Sequence, residues 1–115
     1  MQYLMMLYAE EAGFAKVQPE QMQAVMADFN AFTNEVKEKN VYGGSNRLRP
    51  VASATSVRVR DGKTLITDGP FAETKEQLGG YYLLDCKDLD EAIEYAAKIP
   101  GALWGTVEVR PIWSM

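Results

Sequence analysis

Asp61-Gly62 stands between two strand-like runs within Ser56–Thr67, and no other short signal in the chain constrains its path as tightly. A two-residue Asp-Gly connection takes the primed turn that matches the twist of the strands it joins, so the two runs return antiparallel. The turn also sets the register. It pairs Val57 with Ile66, Val59 with Thr64, Arg58 with Leu65 and Arg60 with Lys63. One face is then mostly apolar and the other carries three cations. A solvated face accounts for them; the sharper reading points Arg58 into a cleft, against an anion.

The hairpin delivers the chain to Asp68-Gly69-Pro70-Phe71-Ala72-Glu73-Thr74-Lys75-Glu76, the densest run of special residues in the sequence. Gly69 admits backbone regions closed to other residues, and Pro70 fixes the bend. Phe71 is expected to be a buried anchor. Thr74 and Gln77 stand at capping-box spacing, which predicts a short helical turn stopped by Gly79-Gly80. Tyr81–Cys86 then reads as a strand, with Tyr82, Leu84 and Cys86 on one face.

Upstream, Tyr3–Tyr8 is an unbroken apolar run of strand length, which suits a central strand. Ala9–Gln18 reads as a loop. Pro19 opens a helix, on which Met22, Val25, Met26, Phe29, Phe32 and Val36 form one face. Core packing explains that Met and Phe stripe better than a ligand surface does. Asn40 suits the left-handed residue after the helix. Val41–Leu48 reads as a strand whose Gly43-Gly44 marks a bulge or a close approach, and Val51–Thr55 as loop. Downstream, Asp88 and Glu91 cap a second helix, expected to bury Leu89, Ala92, Ile93, Ala96 and Ala97 before Pro100-Gly101 ends it. Thr106–Ile112 is the last strand, placed at an edge by Pro111.

The order strand, helix, strand, hairpin, strand, helix, strand predicts an α+β fold in one domain over residues 1–115. A ferredoxin-like βαβ–βαβ plan with an inserted hairpin is the economical solution. Its sheet carries helices on one face only, so a second copy of the chain is the expected cover for the other, as a homodimer or a larger assembly. A net charge of −4 without a basic run argues against nucleic-acid binding. One cysteine excludes an internal disulfide and fits a reducing cytoplasm. The apolar opening run reaches Glu10 too soon for a signal peptide or a membrane span.

Without histidine and with a single cysteine, the chain offers no zinc pattern. Glycine-rich nucleotide motifs and serine-nucleophile motifs are absent as well, and no cofactor is expected. The polar candidates are Asp68, Glu73, Lys75, Tyr81, Tyr82, Glu108 and Arg110. Asp68 at a strand end has the chemistry of a general base where burial raises its pKa; its simpler role is to pin the turn that follows. Glu73 and Lys75 both suit solvent, and Lys75 equally suits an anionic ligand. Glu108 and Arg110 share a strand face and are expected to form a salt bridge lining the cleft.

The stretch Thr67–Glu76, followed by Gly79-Gly80-Tyr81-Tyr82, Glu91-Ala92 and Glu108-Val109-Arg110-Pro111-Ile112, resembles the DGPF proteins, a branch of the YCII-related superfamily. That resemblance covers essentially the whole chain. It implies a dimeric α/β barrel in which two ferredoxin-like protomers pack sheet to sheet, with a cleft in each. It also implies largely uncharacterised activity and, through gene neighbourhood, a functional link to a sigma factor. Members proposed as enzymes use a His–Asp pair, and those places fall here on Gln21 and Ile99, so that acid–base pair is not inherited.

Two readings follow. The first is a dimeric small-molecule-binding protein with Arg58, Phe71, Glu73, Lys75, Tyr82, Glu108 and Arg110 around its ligand. The second is a lyase- or isomerase-like enzyme using Asp68 with Lys75 or Arg110.

Overall fold

The computed structural model describes residues 1–114. In chain order it contains β1 (Gln2–Ala9), α1 (Glu11–Phe14), α2 (Pro19–Glu38), β2 (Tyr42–Arg47), β3 (Thr55–Arg60), β4 (Lys63–Asp68), β5 (Gln77–Asp85), α3 (Leu89–Lys98) and β6 (Thr106–Pro111). Short 3₁₀ turns at Val51–Ser53 and Pro100–Leu103 complete it. β2, β5, β1 and β6 form one sheet in that order, every neighbouring pair antiparallel. With the β3–β4 hairpin set aside, this is a mixed α+β arrangement consistent with a ferredoxin-like fold.

Strand β1 is central because its apolar run serves two neighbours. Tyr3 and Met5 point to the helices and are buried, together with Tyr82 and Leu84 from β5 and Cys86 just beyond its end. Helix α2 adds Phe32 and Val36; α3 adds Ala92, Tyr95 and Ala96, with Ile99 at its end. Phe32 meets Tyr82 edge to face at 5.1 Å between ring centres, a favoured aromatic geometry. Burying side chains the size of Met5, Leu84 and Ile99 contributes about 2 kcal/mol each.

The helix ends follow local chemistry. Pro19 opens α2, Gln18 and Gln21 cap it reciprocally, and Asn40 leaves it with φ 60°. At α3 the Asp88 carboxylate accepts the Glu91 amide at 2.9 Å, and the Glu91 carboxylate accepts the Lys87 amide at 3.1 Å.

The hairpin forms in the expected register, and Asp61 and Gly62 both take positive φ, 53° and 73°. It builds a separate two-stranded sheet, with Val57, Val59 and Ile66 each more than half exposed. The register of β2 slips between Tyr42 and Gly44, at the bulge the two glycines predict. Any Cβ on Gly43 would lie 3.0 Å from the Leu83 carbonyl oxygen.

Several expectations are corrected. The Ala9–Gln18 segment contains α1. No helical turn forms at Thr74–Gln77; β5 begins at Gln77, and Gly79-Gly80 lies inside that strand. The reason is local. The Gln77 amide group donates to the Thr74 carbonyl at 2.7 Å and closes a bend instead of capping a helix. Helix α3 is rotated from its expected face. Tyr95 takes the core position, so Leu89 and Ile93 face outward at about half exposure and Ala97 is exposed. Phe71 is no buried anchor: it is 76% exposed and lies under the Arg58 guanidinium, 5.0 Å from its ring centre.

The entry to β6 has no room for a side chain, because a Cβ on Gly105 would sit 2.1 Å from the Tyr8 carbonyl oxygen. Gly105→Ala is expected to lower stability by about 1–3 kcal/mol in urea unfolding. Gly13 in α1 has nothing within 4 Å, so Gly13→Ala is expected to hold or raise stability by about 0.5 kcal/mol in the same assay.

Candidate functional site

Only the second half of α2 packs into the core. Phe32 and Val36 are buried, whereas Met22, Val25, Met26 and Phe29, from the same apolar stripe, line a cleft of about 720 Å³. That volume lies in the range of small-molecule sites. β5 supplies the floor through Gly79, Gly80 and Tyr82, and β2 one side through Ser45 and Arg47. The end is closed by Phe14 of α1 and by Trp104, whose rings meet edge to face at 4.8 Å. The first half of the Met and Phe stripe therefore lines the cleft, with Phe29 also packed against the core, and the second half is buried in it.

The polar side chains at the back of this cleft are largely engaged. Thr33 donates to the Phe29 carbonyl at 2.9 Å, which leaves its oxygen to accept from the Tyr82 hydroxyl at 2.7 Å. Burial pushes the Tyr82 phenol above its ordinary value and nearby Tyr42 adds to the rise, against the opposing Thr33 hydrogen bond. Tyr82 is thus a neutral donor at physiological pH. Ser45 pairs with the Tyr42 hydroxyl at 2.7 Å. The Glu11 carboxylate accepts the Val51 amide at 3.0 Å, and the Glu11 amide donates to the Gln77 side-chain oxygen at 3.0 Å. Burial likewise raises the Cys86 thiol, with Glu91, Asp85 and Asp88 adding to the effect. Cys86 faces the core and not the cleft.

Of the expected site residues, Tyr82 and its neighbour Tyr81 border the cleft, and no other does. Asp68 is exposed at the end of β4, with Glu73 and Lys75 exposed in the loop beyond. No side-chain hydrogen bond engages Asp68 among the described residues. The loop is pinned one residue later, where the Gly69 amide donates to the Ala54 carbonyl at 2.7 Å and the Ser56 hydroxyl donates to the Gly69 carbonyl at 2.8 Å. Gly69 has φ 102°, a conformation that glycine alone adopts without strain. Arg58 stacks on Phe71 in the hairpin region. Glu108 and Arg110 do form an ion pair. They alternate with the core-facing Val107 and Val109, however, and so lie on the sheet face away from helices and cleft.

Sequence reasoning missed Glu11, Phe14, Arg47 and Trp104 as lining residues. The usable signal was the methionine-rich first half of the α2 stripe, since Met is favoured on adaptable binding surfaces. The positions that correspond to the absent His–Asp pair do not rebuild one. Gln21 is exposed and accepts the Gln18 amide at 3.2 Å, and Ile99 is fully buried.

Fold and cleft together define a two-layer α+β protein with an apolar recess between its long helix and one end of the sheet. The chain matches the YCII-related domain over residues 1–115. It is 40% identical over 114 residues to an uncharacterised protein of Rhizobium meliloti (strain 1021), covering 97% of this chain and 92% of that protein. The chain belongs to the YCII-related family. Among the described residues, no helix is long and apolar enough to cross a membrane.

Tyr82→Phe tests the back of the cleft. Loss of its bond to Thr33 is expected to cost about 1 kcal/mol near neutral pH. Because the folded protein holds the phenolic proton more tightly than the unfolded chain, that proton's contribution is complete below pH 10.0 and lost as pH rises through the higher folded value. Urea unfolding as a function of pH should therefore show a shallower alkaline decline in the variant.

Proposed function

We propose that this chain is a small-molecule-binding protein of the DGPF branch, acting as a homodimer, with its ligand held in the cleft between α2 and the β2–β5 end of the sheet. The branch assignment rests on the resemblance of Thr67–Glu76. The observation that carries the binding reading is the cleft itself: about 720 Å³, walled by Met22, Val25, Met26, Phe29 and Trp104, with few polar groups converging on it. A catalytic reading through Asp68 with Lys75 or Arg110 draws no support from the cleft, whose lining contains none of the three. A thermal-shift screen of metabolites tests the binding reading. Hits are expected to raise the melting temperature of the unmodified protein and not that of Val25→Trp, whose ring would fill the recess. Hits that stabilise both equally would place the ligand elsewhere.

The dimer is supported by what one protomer leaves uncovered. Leu4, Met6, Tyr81 and Leu83 sit on the sheet face without helices, and Val57, Val59 and Ile66 project on the hairpin. The radius of gyration is 16.1 Å, against about 13 Å for a compact domain of this length. Pairing sheet to sheet would cover these side chains and form the α/β barrel. Light scattering behind gel filtration is expected to give twice the chain mass of 12.8 kDa. Ile66→Glu is expected to shift that mass toward the monomer while far-ultraviolet dichroism is kept. A monomeric unmodified protein would overturn the dimer.

A further inference from the structure

The cleft's charge pattern bears on its occupant, and the inference rests on the cleft being the binding site. Among its described lining residues Arg47 is the one cation and Glu11 the one carboxylate. The two differ in what they already do. Glu11 is half-buried, and both its oxygens lie within 3.0–3.4 Å of the Val51 amide, which draws its charge toward the rim turn. Arg47 is exposed, and its guanidinium takes part in no ion pair among the described residues.

Placement on the sheet carries the rest. Arg47 pairs with Gly80, and Ser45 two residues earlier pairs with Tyr82. Alternation along both strands therefore puts Arg47 on the side of Tyr82, over the cleft floor and away from the open sheet face. Gly80 has no side chain to fill the space beside it. A Cβ there would meet the Asn46 carbonyl oxygen at 2.9 Å, so the position is held as glycine and the floor stays open at Arg47. Ser45, Thr33 and Tyr82 have partners inside the protein, which leaves the guanidinium to recognise charge. Its planar fork matches carboxylate, sulfonate or phosphate oxygens.

We infer that the cleft takes an amphiphilic organic anion: an apolar, preferably aromatic, body against Met22, Val25, Phe29 and Trp104, with one acidic group on the Arg47 guanidinium. Volume favours a small molecule over a peptide helix, and the apolar walls disfavour a free inorganic anion.

Two fluorescent probes with a shared anilinonaphthalene skeleton separate charge from shape: 1-anilinonaphthalene-8-sulfonate and the uncharged N-phenyl-1-naphthylamine. Both are titrated into the unmodified protein, Arg47→Gln, Arg47→Lys and Val25→Trp, with each fold checked by circular dichroism. The sulfonate is expected to bind the unmodified protein about tenfold more tightly than the neutral probe, as one charge-assisted contact gives. Arg47→Gln should abolish that preference without changing the neutral probe's affinity, and Arg47→Lys should keep part of it. Val25→Trp should weaken both probes. Equal binding of the two probes, or a preference that survives Arg47→Gln, would overturn the anion inference while leaving the cleft as the site if Val25→Trp still weakens both. Probe binding unaffected by Val25→Trp, or no binding of either probe, would overturn the cleft reading and the inference with it.

Discussion

Apolar side chains from β1 and β5 are buried against α2 and α3 on one face of a four-stranded sheet, and the remaining features are arranged around that single layer. Met5, Leu84, Val36 and Ile99 are fully inaccessible. The opposite face gains nothing comparable within the protomer. A two-layer arrangement of this kind closes its hydrophobic account on one side only, which is why Leu4, Met6 and Leu83 are left half-covered.

The cleft follows from a mismatch of length against that layer. α2 has 20 residues, about 30 Å of helix, while the neighbouring β2 has six, about 20 Å of strand. Side chains near the helix's C-terminal end, Phe32 and Val36, reach the buried layer. Those of its first turns line the cleft, whose end Phe14 and Trp104 close. Apolar residues that cannot reach the core wall a recess instead.

What was legible in the sequence divides along the same line. The hairpin register, the bulge at Gly43-Gly44, the Pro19 and Asp88 helix starts and the buried face of β5 were all readable, because each depends on backbone chemistry within a few residues. The rotation of α3 was not. Leu89 and Ile93 are more hydrophobic than Tyr95, and only the space beneath the helix decides which of them turns inward. The cleft was poorly legible for a related reason. Asp68, Phe71, Glu73 and Lys75 are conspicuous residues, yet they belong to an excursion that leaves the sheet after β2 and returns at β5. Arg47 looked like a strand end in one dimension; its position over Gly80 exists only once β2 and β5 have paired.

That excursion is nevertheless tied to the cleft, and Glu11 is the tie. Its carboxylate holds the Val51 amide, where the chain departs toward the hairpin, and its own amide is held by Gln77, where the chain re-enters the sheet. One residue of a single-turn helix thus clamps both ends of a segment more than twenty residues long, and the same residue lines the recess. The Gln77 side chain also reaches back to Thr74, so the DGPF-like stretch is fixed at its base even though its tip is exposed. Displacement of Glu11 by a bound molecule would loosen both anchor points together, whereas a ligand that leaves its two hydrogen bonds intact would find the hairpin's base unchanged. Arg47, on β2 across the recess, takes part in neither bond.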